Sequence, residues 1–598
     1  MSLPFRAQFP LHATRCAQAL IAFAFLAFAA GQTFGQAPAF SQIIVFGDSL
    51  SDDGNVKDRT ENTSGGVVSY PSGNYNYANG RFTNSASTSP GSPVFVGTWH
   101  EQLAQTFLGL PAATYSLGGG TDSAFGGATT KDGTSERTVI SNPTPFGGGQ
   151  LTITVNNMGK QISDYLASHV VDPNALYIVW GGGNDLFDDD SAASVSATAS
   201  RAAALVNRLA LAGAKYILVP NVPPLGVVPN YLGNEPKMGS LNAASQAYRS
   251  QLNANLDSTV AALAVQGITP TIYRLDVWAN FVRITANPFA YGFGDVQNSS
   301  QGHSVVPDNF LFWDDIHPTT SGHYQTAKDA NRALTTPPVA SAKALNLAAR
   351  INVGLGENVA IGGFIVTGNV NKRVYIRGLG PSLSSNGVPN PLLDPTIELF
   401  DGANSSLMKN DNWRTTQEAE IMATGNPPKN NSESAIIRTL PPGRYTVVLA
   451  GNGGGTGNGL IEVYDLDAAA DATLANISAR GFVGTNDNVL IGGFIIGSGD
   501  EAIVVVRAIG PSLAPAGIAN PLLDPTIELH NGNGDAIGFN DDWKGTQASS
   551  AIRATQLMPT DDREAAIVAS LPPGNYTAVV RGKSNATGVA LVEAYRIP

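Results

Sequence analysis

The chain has 598 residues, of which 43% are hydrophobic and 14% charged, and its formal net charge is −12. This length exceeds what one hydrophobic core serves, so we expect several domains. The acidic balance and the absence of a basic run exclude a nucleic-acid-binding protein. The sparse charge and the 65 glycines are typical of a loop-rich extracytoplasmic protein.

Residues 1–37 have the pattern of a secretory signal peptide. Basic residues precede an apolar run, Ala17–Ala30, which is too short to span a bilayer comfortably. Cleavage after Ala29 or Ala37 would also remove Cys16, the only cysteine. We therefore expect a secreted protein with no disulfide, no cysteine nucleophile and no stable transmembrane segment. The alternative is an uncleaved anchor.

Between residues 38 and 335, apolar strands alternate with longer helical patterns. The predicted strands start at Ile43, Leu176, Tyr216 and Thr271, and the predicted helices are Gly97–Leu108, Asn156–His169, Ala192–Leu211 and Ser240–Val265. Strand, crossover helix and parallel strand is the economical interpretation of this alternation. It predicts an α/β domain.

A linker at 336–345, rich in Pro, Thr and Ala, precedes an internal duplication. Three segments recur at an offset of 130 or 131 residues: Ile361–Phe364 as Ile491–Phe494, Asn390–Leu399 as Asn520–Leu529, and Pro441–Thr446 as Pro572–Thr577. A unit of this length, with short alternating runs between Gly, Pro and Asn turns, is typical of a whole β-sandwich. We expect two tandem all-β sandwich domains, at 346–468 and 469–598.

The first predicted strand stops in Gly47–Asn55, a stretch of mostly small and polar residues. Because an open α/β sheet keeps its crevice at the carboxyl ends of the strands, Ser49 is a candidate nucleophile. The alternative is an ordinary turn. A serine hydroxyl needs a base, and His317 has a carboxylate, Asp314, three residues before it that can orient its ring. The alternative there is a loop histidine that caps the backbone.

Serine attack on an ester also needs hydrogen-bond donors for the developing oxyanion. Asn184, after the second predicted strand, can offer its side-chain amide. Gly127, in a Gly-Gly segment, can offer an unobstructed backbone N–H. Because Gly-rich loops end many strands, these residues become specific only together with the serine and the histidine.

Together, and in this order, four motifs resemble those of the SGNH, or GDSL-type, hydrolases, a family of esterases and lipases. The motifs are Gly47–Asn55, Phe125–Ala128, Gly182–Asp185 and Asp314–Pro318. A fifth segment, Asn79–Asn84, resembles one in the branch that includes secreted lecithinases, haemolysins and plant lipases. The resemblance covers roughly half of the chain and implies a flavodoxin-like α/β/α sandwich. We expect hydrolysis through an acyl-enzyme to need no cofactor.

The resemblance also implies a role for each site residue. Ser49 would be the nucleophile, and His317 the base that Asp314 orients. The oxyanion hole would consist of the backbone N–H groups of Ser49 and Gly127 and the side chain of Asn184.

Some alternatives stay open. Asp122 stands where relatives often carry Asn, so Gly126 competes with Gly127 for the oxyanion role. The larger α/β-hydrolase fold shares the order Ser, Asp, His, but its Gly-x-Ser-x-Gly elbow is broken here by Ser51. We expect no metal. Asp185–Asp190 could suggest a metal, but acids before a helix are expected from capping and the macrodipole. Asn410–Trp413 and Asn540–Trp543 could suit calcium, but their Asx residues suit any hairpin turn.

We therefore predict a secreted serine esterase or lipase that forms an acyl-enzyme on Ser49. Its substrate would be a lipid, an acylated polysaccharide or a small ester. The C-terminal repeats loosely resemble accessory domains of secreted bacterial hydrolases, and we expect them to bind polysaccharide or a cell surface. The alternative function is a surface or matrix binding protein whose repeats carry the function.

Overall fold

The computed structural model describes residues 37–86, 95–140, 150–336 and 343–597. The predicted signal peptide, apart from its last residue, and most of the predicted linker lie outside the described residues. Chain contacts divide the rest into two compact units, one up to residue 336 and one from residue 343. In the part of the chain so described, every helix is too short or too polar to cross a membrane.

The N-terminal unit alternates strands and helices. Its strands are β1 (Ile43–Gly47), β2 (Thr134–Ile140), β3 (Gln150–Asn156), β4 (Leu176–Trp180), β5 (Tyr216–Pro220), β6 (Thr271–Leu275), β7 (Asp295–Ser299) and β8 (Phe310–Phe312). Its helices are α1 (Asn55–Ser64), α2 (Trp99–Gln102), α3 (Met158–Ser168), α4 (Gly183–Asp188), α5 (Ala192–Leu211), α6 (Glu235–Val265), α7 (Val277–Ala286) and α8 (Thr320–Thr335).

The central sheet of this unit is parallel, with the strand order β1-β4-β5-β6. Alternate residues of a strand point to opposite faces of a sheet. Ile44 and Phe46 accordingly pack in a cluster with α3, α5 and α6, whereas Ile43 and Val45 pack in a cluster with α2 and α8. Because both faces are covered by helices, these strands are apolar throughout. The predicted α/β/α fold is confirmed.

The C-terminal unit consists of sixteen antiparallel strands and two short helices. Those of the first repeat are β9 (Ala344–Val353), β10 (Ala360–Gly368), β11 (Lys372–Leu379), β12 (Pro395–Asp401), β13 (Ser406–Asn410), α9 (Glu418–Ala423), β14 (Ser434–Leu440), β15 (Gly443–Gly451) and β16 (Gly457–Asp465). Those of the second are β17 (Ala472–Val483), β18 (Leu490–Ile496), β19 (Ala502–Ile509), β20 (Pro525–His530), β21 (Ala536–Asn540), α10 (Ser549–Ala554), β22 (Ala565–Leu571), β23 (Gly574–Gly582) and β24 (Gly588–Ile597).

The two repeats pair their strands with each other. One run of paired strands has the order β13-β12-β15-β10-β17-β24-β19-β22, and the other has the order β21-β20-β23-β18-β9-β16-β11-β14. Each run therefore takes four strands from each repeat. A single bridge between Asn352 and Phe482 joins the two runs, and one hydrophobic cluster contains buried residues of both repeats. The all-β fold is confirmed, and the domain boundaries predicted from the sequence stay a prediction.

We expect a chain that ends at residue 468 to fold poorly, because β10 would lose its partner β17 and β9 would lose β18. Two unpaired apolar edges promote aggregation. The measurement is size-exclusion chromatography with light scattering, together with thermal unfolding, on chains that start at residue 38. The controls end at residues 335 and 598 and should both be monomeric and unfold cooperatively. A monomeric, cooperatively folded chain that ends at 468 would contradict this prediction.

Candidate active site

The backbone before Ser49 is held tightly from two sides. Ser49 follows β1 at the carboxyl edge of the parallel sheet and is partly exposed. At Gly47 a Cβ atom would lie 2.9 Å from the carbonyl oxygen of Trp180 in the neighbouring strand, so a larger residue does not fit. The side-chain amide of Gln161 accepts a hydrogen bond from the Gly47 N–H and donates one to the Gly47 carbonyl, each at 2.9 Å. These contacts fix the position of the backbone that leads into Ser49.

Ser49, His317 and Asp314 form a continuous hydrogen-bonded chain. Ser49 Oγ lies 2.8 Å from His317 Nε2, and His317 Nδ1 lies 2.7 Å from Asp314 Oδ2. The other oxygen, Asp314 Oδ1, accepts the backbone N–H groups of Ile316 at 2.8 Å and His317 at 2.6 Å. The carboxylate therefore holds both the backbone and the ring of the histidine. With a proton on Nδ1, the imidazole presents Nε2 as an acceptor to the serine hydroxyl.

The pKa values of the pair support this arrangement. Burial alone would lower the pKa of His317, but the charge and hydrogen bond of Asp314 raise it above its ordinary value. Burial alone would raise the pKa of Asp314, but His317 and the backbone donors hold it below its ordinary value. The pair is thus an ionised carboxylate beside an imidazole of increased basicity, which suits a group that takes a proton from serine.

The Gly126–Gly127 segment lies beside the serine loop. The Gly126 N–H donates to Asp52 Oδ2 at 2.8 Å, and a Cβ at Gly126 would lie 2.5 Å from the ring of Phe82. Gly127 has a positive φ of 83°, which favours glycine. Its carbonyl accepts Arg137 Nε at 2.8 Å. This hydrogen bond fixes the Gly127 carbonyl. Both glycines line the same cleft as Ser49. The choice between them as oxyanion donor stays a prediction.

Asp122 carries a carboxyl group where relatives often carry an amide, and a protonated carboxyl can both accept and donate hydrogen bonds. Burial and the neighbouring carboxyl of Asp53 raise the pKa of Asp122 well above its ordinary value. Burial also raises the pKa of Asp53 to about 7. Asp122 accepts the backbone N–H groups of Ala124 at 2.9 Å and Asp53 at 3.2 Å. A protonated acid offers acceptors and one O–H donor, and an amide likewise offers both an acceptor and donors.

Asn184 stands in the first turn of α4, directly after the sheet edge. Gly182 before it has a φ of 111°, and Asn184 Nδ2 donates to the Ala128 carbonyl at 2.9 Å. An amide group carries two N–H donors, so one remains for a ligand. The next residue, Asp185, accepts Thr130 N–H and Oγ1 at 2.8 and 2.9 Å. These bonds therefore connect the loop that carries Gly127 to the helix that carries Asn184.

The acidic run that suited a metal is engaged in internal ion pairs. Asp185 pairs with Arg201 at 2.9 Å, Asp188 with Arg137 at 3.1 Å, and Asp190 with Lys237 at 2.9 Å. These contacts tie α4 and Asp190, which follows it, to α5, α6 and β2.

A cleft of about 390 Å³ lies over Ser49. Gly127, Asn184 and His317 lie in its wall. Apolar side chains form much of the remaining lining, among them Phe187, Val222, Leu225, Val228, Phe281 and Leu311. The cleft therefore combines one polar edge with apolar walls, a common arrangement for a site that orients an apolar ligand.

Sequence reasoning missed three residues that support the site. Tyr77 donates its hydroxyl to Asp314 Oδ2 at 2.7 Å, and the Phe82 ring lies 5.1 Å from the His317 ring, tilted by 33°. Phe82 belongs to Asn79–Asn84, the segment that resembles other family members but to which sequence reasoning gave no structural role. Tyr77 lies just before this segment. Gln161 gave no signal, because in the sequence it is one polar residue of a helix.

A family model and one well-covered relative show the family of this chain. A family model described as GDSL-like Lipase/Acylhydrolase matches residues 43–330. The phosphatidylcholine-sterol acyltransferase of Aeromonas hydrophila is 30% identical over 274 residues, which are 45% of this chain and 68% of that protein. An uncharacterized protein of Pseudomonas putida is 32% identical and covers 52% of this chain, and the esterase EstA of Pseudomonas aeruginosa is 28% identical and covers 50%.

The chain belongs to the GDSL-like lipase/acylhydrolase family. It spans about half the length of the two Pseudomonas relatives, at 51% and 47%. The family match ends before the C-terminal unit begins.

We expect Ser49 to be the serine that a fluorophosphonate probe labels, with a rate that depends on Asp314 and not on Asp315. Asp315 is exposed and accepts Ser299 Oγ at 3.0 Å, away from the imidazole. Asp314→Asn should slow labelling by about 10³–10⁴-fold, since an amide cannot stabilise the imidazolium. Asp315→Asn should cost less than about tenfold, or roughly 1.4 kcal/mol of barrier.

The measurement is the labelling rate followed by peptide mapping, with Ser49→Ala as the unlabelled control. Labelling that persists in Ser49→Ala would contradict the assignment of the serine. Loss in Asp315→Asn but not in Asp314→Asn would contradict the assignment of the acid.

Proposed function

We propose that this protein is a secreted serine hydrolase that cleaves carboxylic esters. One observation carries the proposal: Ser49 Oγ lies 2.8 Å from His317 Nε2, and Asp314 holds the other side of the same ring. Family membership supports the reaction class, since relatives are named lipase and esterase. The apolar run near the N-terminus supports secretion.

The reaction would run in two steps. Ser49 Oγ attacks the ester carbonyl carbon while its proton passes to His317 Nε2, and Asp314 stabilises the resulting imidazolium. The carbonyl oxygen gains negative charge and is stabilised by the backbone N–H groups of Ser49 and Gly127 and by the Asn184 amide. His317 then gives the proton to the departing alcohol, which leaves an acyl-enzyme.

The second step reverses these roles. His317 takes a proton from a water molecule, whose oxygen attacks the acyl carbon on Ser49. Collapse of the second tetrahedral intermediate returns the proton to the serine and releases the carboxylic acid. Every proton transfer uses Nε2, the nitrogen that faces the serine, and no external oxidant, reductant or metal is needed.

The walls of the cleft favour an ester with an apolar chain. Leu225, Phe281 and Leu311 lie in the lining, and burying a methylene group against such walls contributes about 0.8 kcal/mol. An acetyl group would leave most of the cleft unfilled. The substrate we propose is therefore a lipid or other ester with an acyl chain longer than acetyl.

We expect purified protein to hydrolyse p-nitrophenyl esters, with kcat/KM higher for octanoate than for acetate because the longer chain fills the apolar cleft. The measurement is a panel of acyl lengths from two to sixteen carbons, with Ser49→Ala as the control that should show background turnover. No turnover at any length would end the hydrolase proposal and favour the binding-protein alternative.

We expect Asn184→Ala to lower kcat by about 10²–10³-fold, the scale of losing one side-chain oxyanion donor. The fold should tolerate the change, since among the described residues the Asn184 side chain makes one hydrogen bond, to the Ala128 carbonyl. A matched control is Asn280→Ala, because Asn280 is another amide in the cleft wall to which the proposal gives no role. Unchanged kcat in a folded Asn184→Ala variant would remove this residue from the mechanism.

For the C-terminal repeats we propose a role in holding the enzyme to polysaccharide or a cell surface. No residue of the proposed mechanism lies in them. A chain that ends at residue 335 should therefore keep its rate on soluble esters and lose rate only on polymeric substrate. Loss of the soluble activity in a folded truncated chain would contradict this division of labour.

A further inference from the structure

The segment Tyr77–Asn84 fastens the two loops of the site together. Gly80 has a φ of 81°, and a Cβ there would lie 2.8 Å from the Asp53 carbonyl oxygen, so the segment packs closely on the serine loop. Arg81 forms a two-pronged ion pair with Glu101, with Nε and Nη2 at 2.7 and 2.6 Å from the two carboxylate oxygens. That pair is largely buried, which anchors the segment to α2.

The other end of the segment contacts the loop that carries the histidine. Thr83 Oγ1 donates to the Pro318 carbonyl at 2.9 Å. The Thr320 N–H donates to Asn84 Oδ1 at 2.8 Å, and Asn84 Nδ2 donates to Thr320 Oγ1 at 3.1 Å. These bonds hold the backbone directly after His317.

The first residue of the segment reaches the acid of the site. Tyr77 is buried, and its hydroxyl donates to Asp314 Oδ2 at 2.7 Å. The same oxygen faces His317 Nδ1 at 2.7 Å. Within the described part of the chain, Tyr77 and the backbone N–H of Ile316 are the only donors to this carboxylate from residues other than His317.

We propose that Tyr77 is a positioning residue. It fixes the orientation of the Asp314 carboxylate and weakens the hydrogen bond that this carboxylate accepts from His317 Nδ1–H. This inference rests on the proposed function, because it assigns to Asp314 and His317 the parts they would play in ester hydrolysis. It also gives the Asn79–Asn84 motif a purpose, since the turn that this motif forms brings Tyr77 to Asp314.

The physical argument is competition for one oxygen. A phenol O–H that donates to a carboxylate stabilises its negative charge and makes it a weaker partner for a second donor. Without the phenol, Asp314 would bind the Nδ1–H of His317 more strongly, and more strongly still when the ring is protonated. His317 would then hold its second proton to a higher pH.

Other ionisable groups face this pair, and both Tyr77 variants retain them. Asp48, in the serine loop, raises the pKa of His317 by its charge. His323, in α8, has a pKa that burial lowers to about 3, so it stays neutral. Tyr70, beside Tyr77, has a pKa that burial raises to about 12, so it also stays neutral. None of them donates a hydrogen bond to Asp314.

The test is Tyr77→Phe in the full-length protein, with two readouts. Histidine labelled with ¹³C at Cε1 reports the titration of His317 by NMR, and a His317→Gln sample assigns its signal among the seven histidines. The pKa of His317 should rise by about 0.5–1 unit. The acidic limb of the kcat/KM profile should move to higher pH by the same amount, because only neutral His317 can accept the serine proton.

The matched control is Tyr75→Phe, which removes a hydroxyl from the same aromatic cluster without touching Asp314. It should leave the pKa of His317 unchanged. A second variant, Tyr77→3-fluorotyrosine, keeps the ring and strengthens the donor, so it should lower the pKa of His317. This variant decides the matter if Tyr77→Phe does not fold.

An unchanged or lowered pKa of His317 in folded Tyr77→Phe would overturn the inference, whatever happens to kcat. So would an unchanged or raised pKa with 3-fluorotyrosine at position 77. The NMR readout needs no substrate, so a moved titration in a protein that hydrolyses no ester would support the inference and refute the proposed function. Ester turnover with an unmoved titration would do the reverse.

Discussion

The candidate site depends on one hydrogen bond, between Ser49 Oγ and His317 Nε2. This bond joins two residues that lie near the beginning and near the end of the N-terminal unit in the sequence. The serine follows the first strand, and the histidine precedes the last helix. The serine leaves the carboxyl edge of the central sheet, whereas the histidine follows β8, which pairs with β7 outside that sheet. Helices cover both faces of that sheet, so its register is fixed by two buried clusters.

Much of this could be predicted from the sequence because the decisive signals are local. The spacing of Asp314 and His317 lets one carboxylate bind the backbone N–H and the ring of the same histidine. Continuous apolar runs mark strands that are buried on both faces. Among the elements that were predicted, the errors are at the ends. The helix α6 begins at Glu235, before the predicted Ser240, because Asn234 caps it and a proline is tolerated in its first turn.

What could not be predicted depends on pairing over long distances. The Tyr77 hydroxyl meets Asp314 across 237 positions, and Gln161 meets Gly47 across 114. In neither pair does one residue alter the sequence pattern around the other. The C-terminal repeats show the same limit, since β10 has the same alternation whether its neighbour comes from its own repeat or from β17 of the next. Periodicity sets which face of a strand is apolar, and it leaves the partner along the edge undetermined.

The carboxylates buried around Ser49 place the loops of the site and also lower the stability of the fold at neutral pH. Burial is the largest influence on Asp48 and Asp52, and it raises the pKa of each from 3.8 to about 6. The folded chain therefore binds these protons more tightly than the unfolded chain. Their contribution to the free energy of unfolding is greatest at acid pH, falls as the pH rises through about 6, and stays low at neutral pH. Yet Asp52 accepts the N–H groups of Gly54 at 2.9 Å and Gly126 at 2.8 Å, and so joins the serine loop to the glycine loop. An apolar residue at position 52 would remove the buried charge and, with it, the bonds that place the two loops around the cleft.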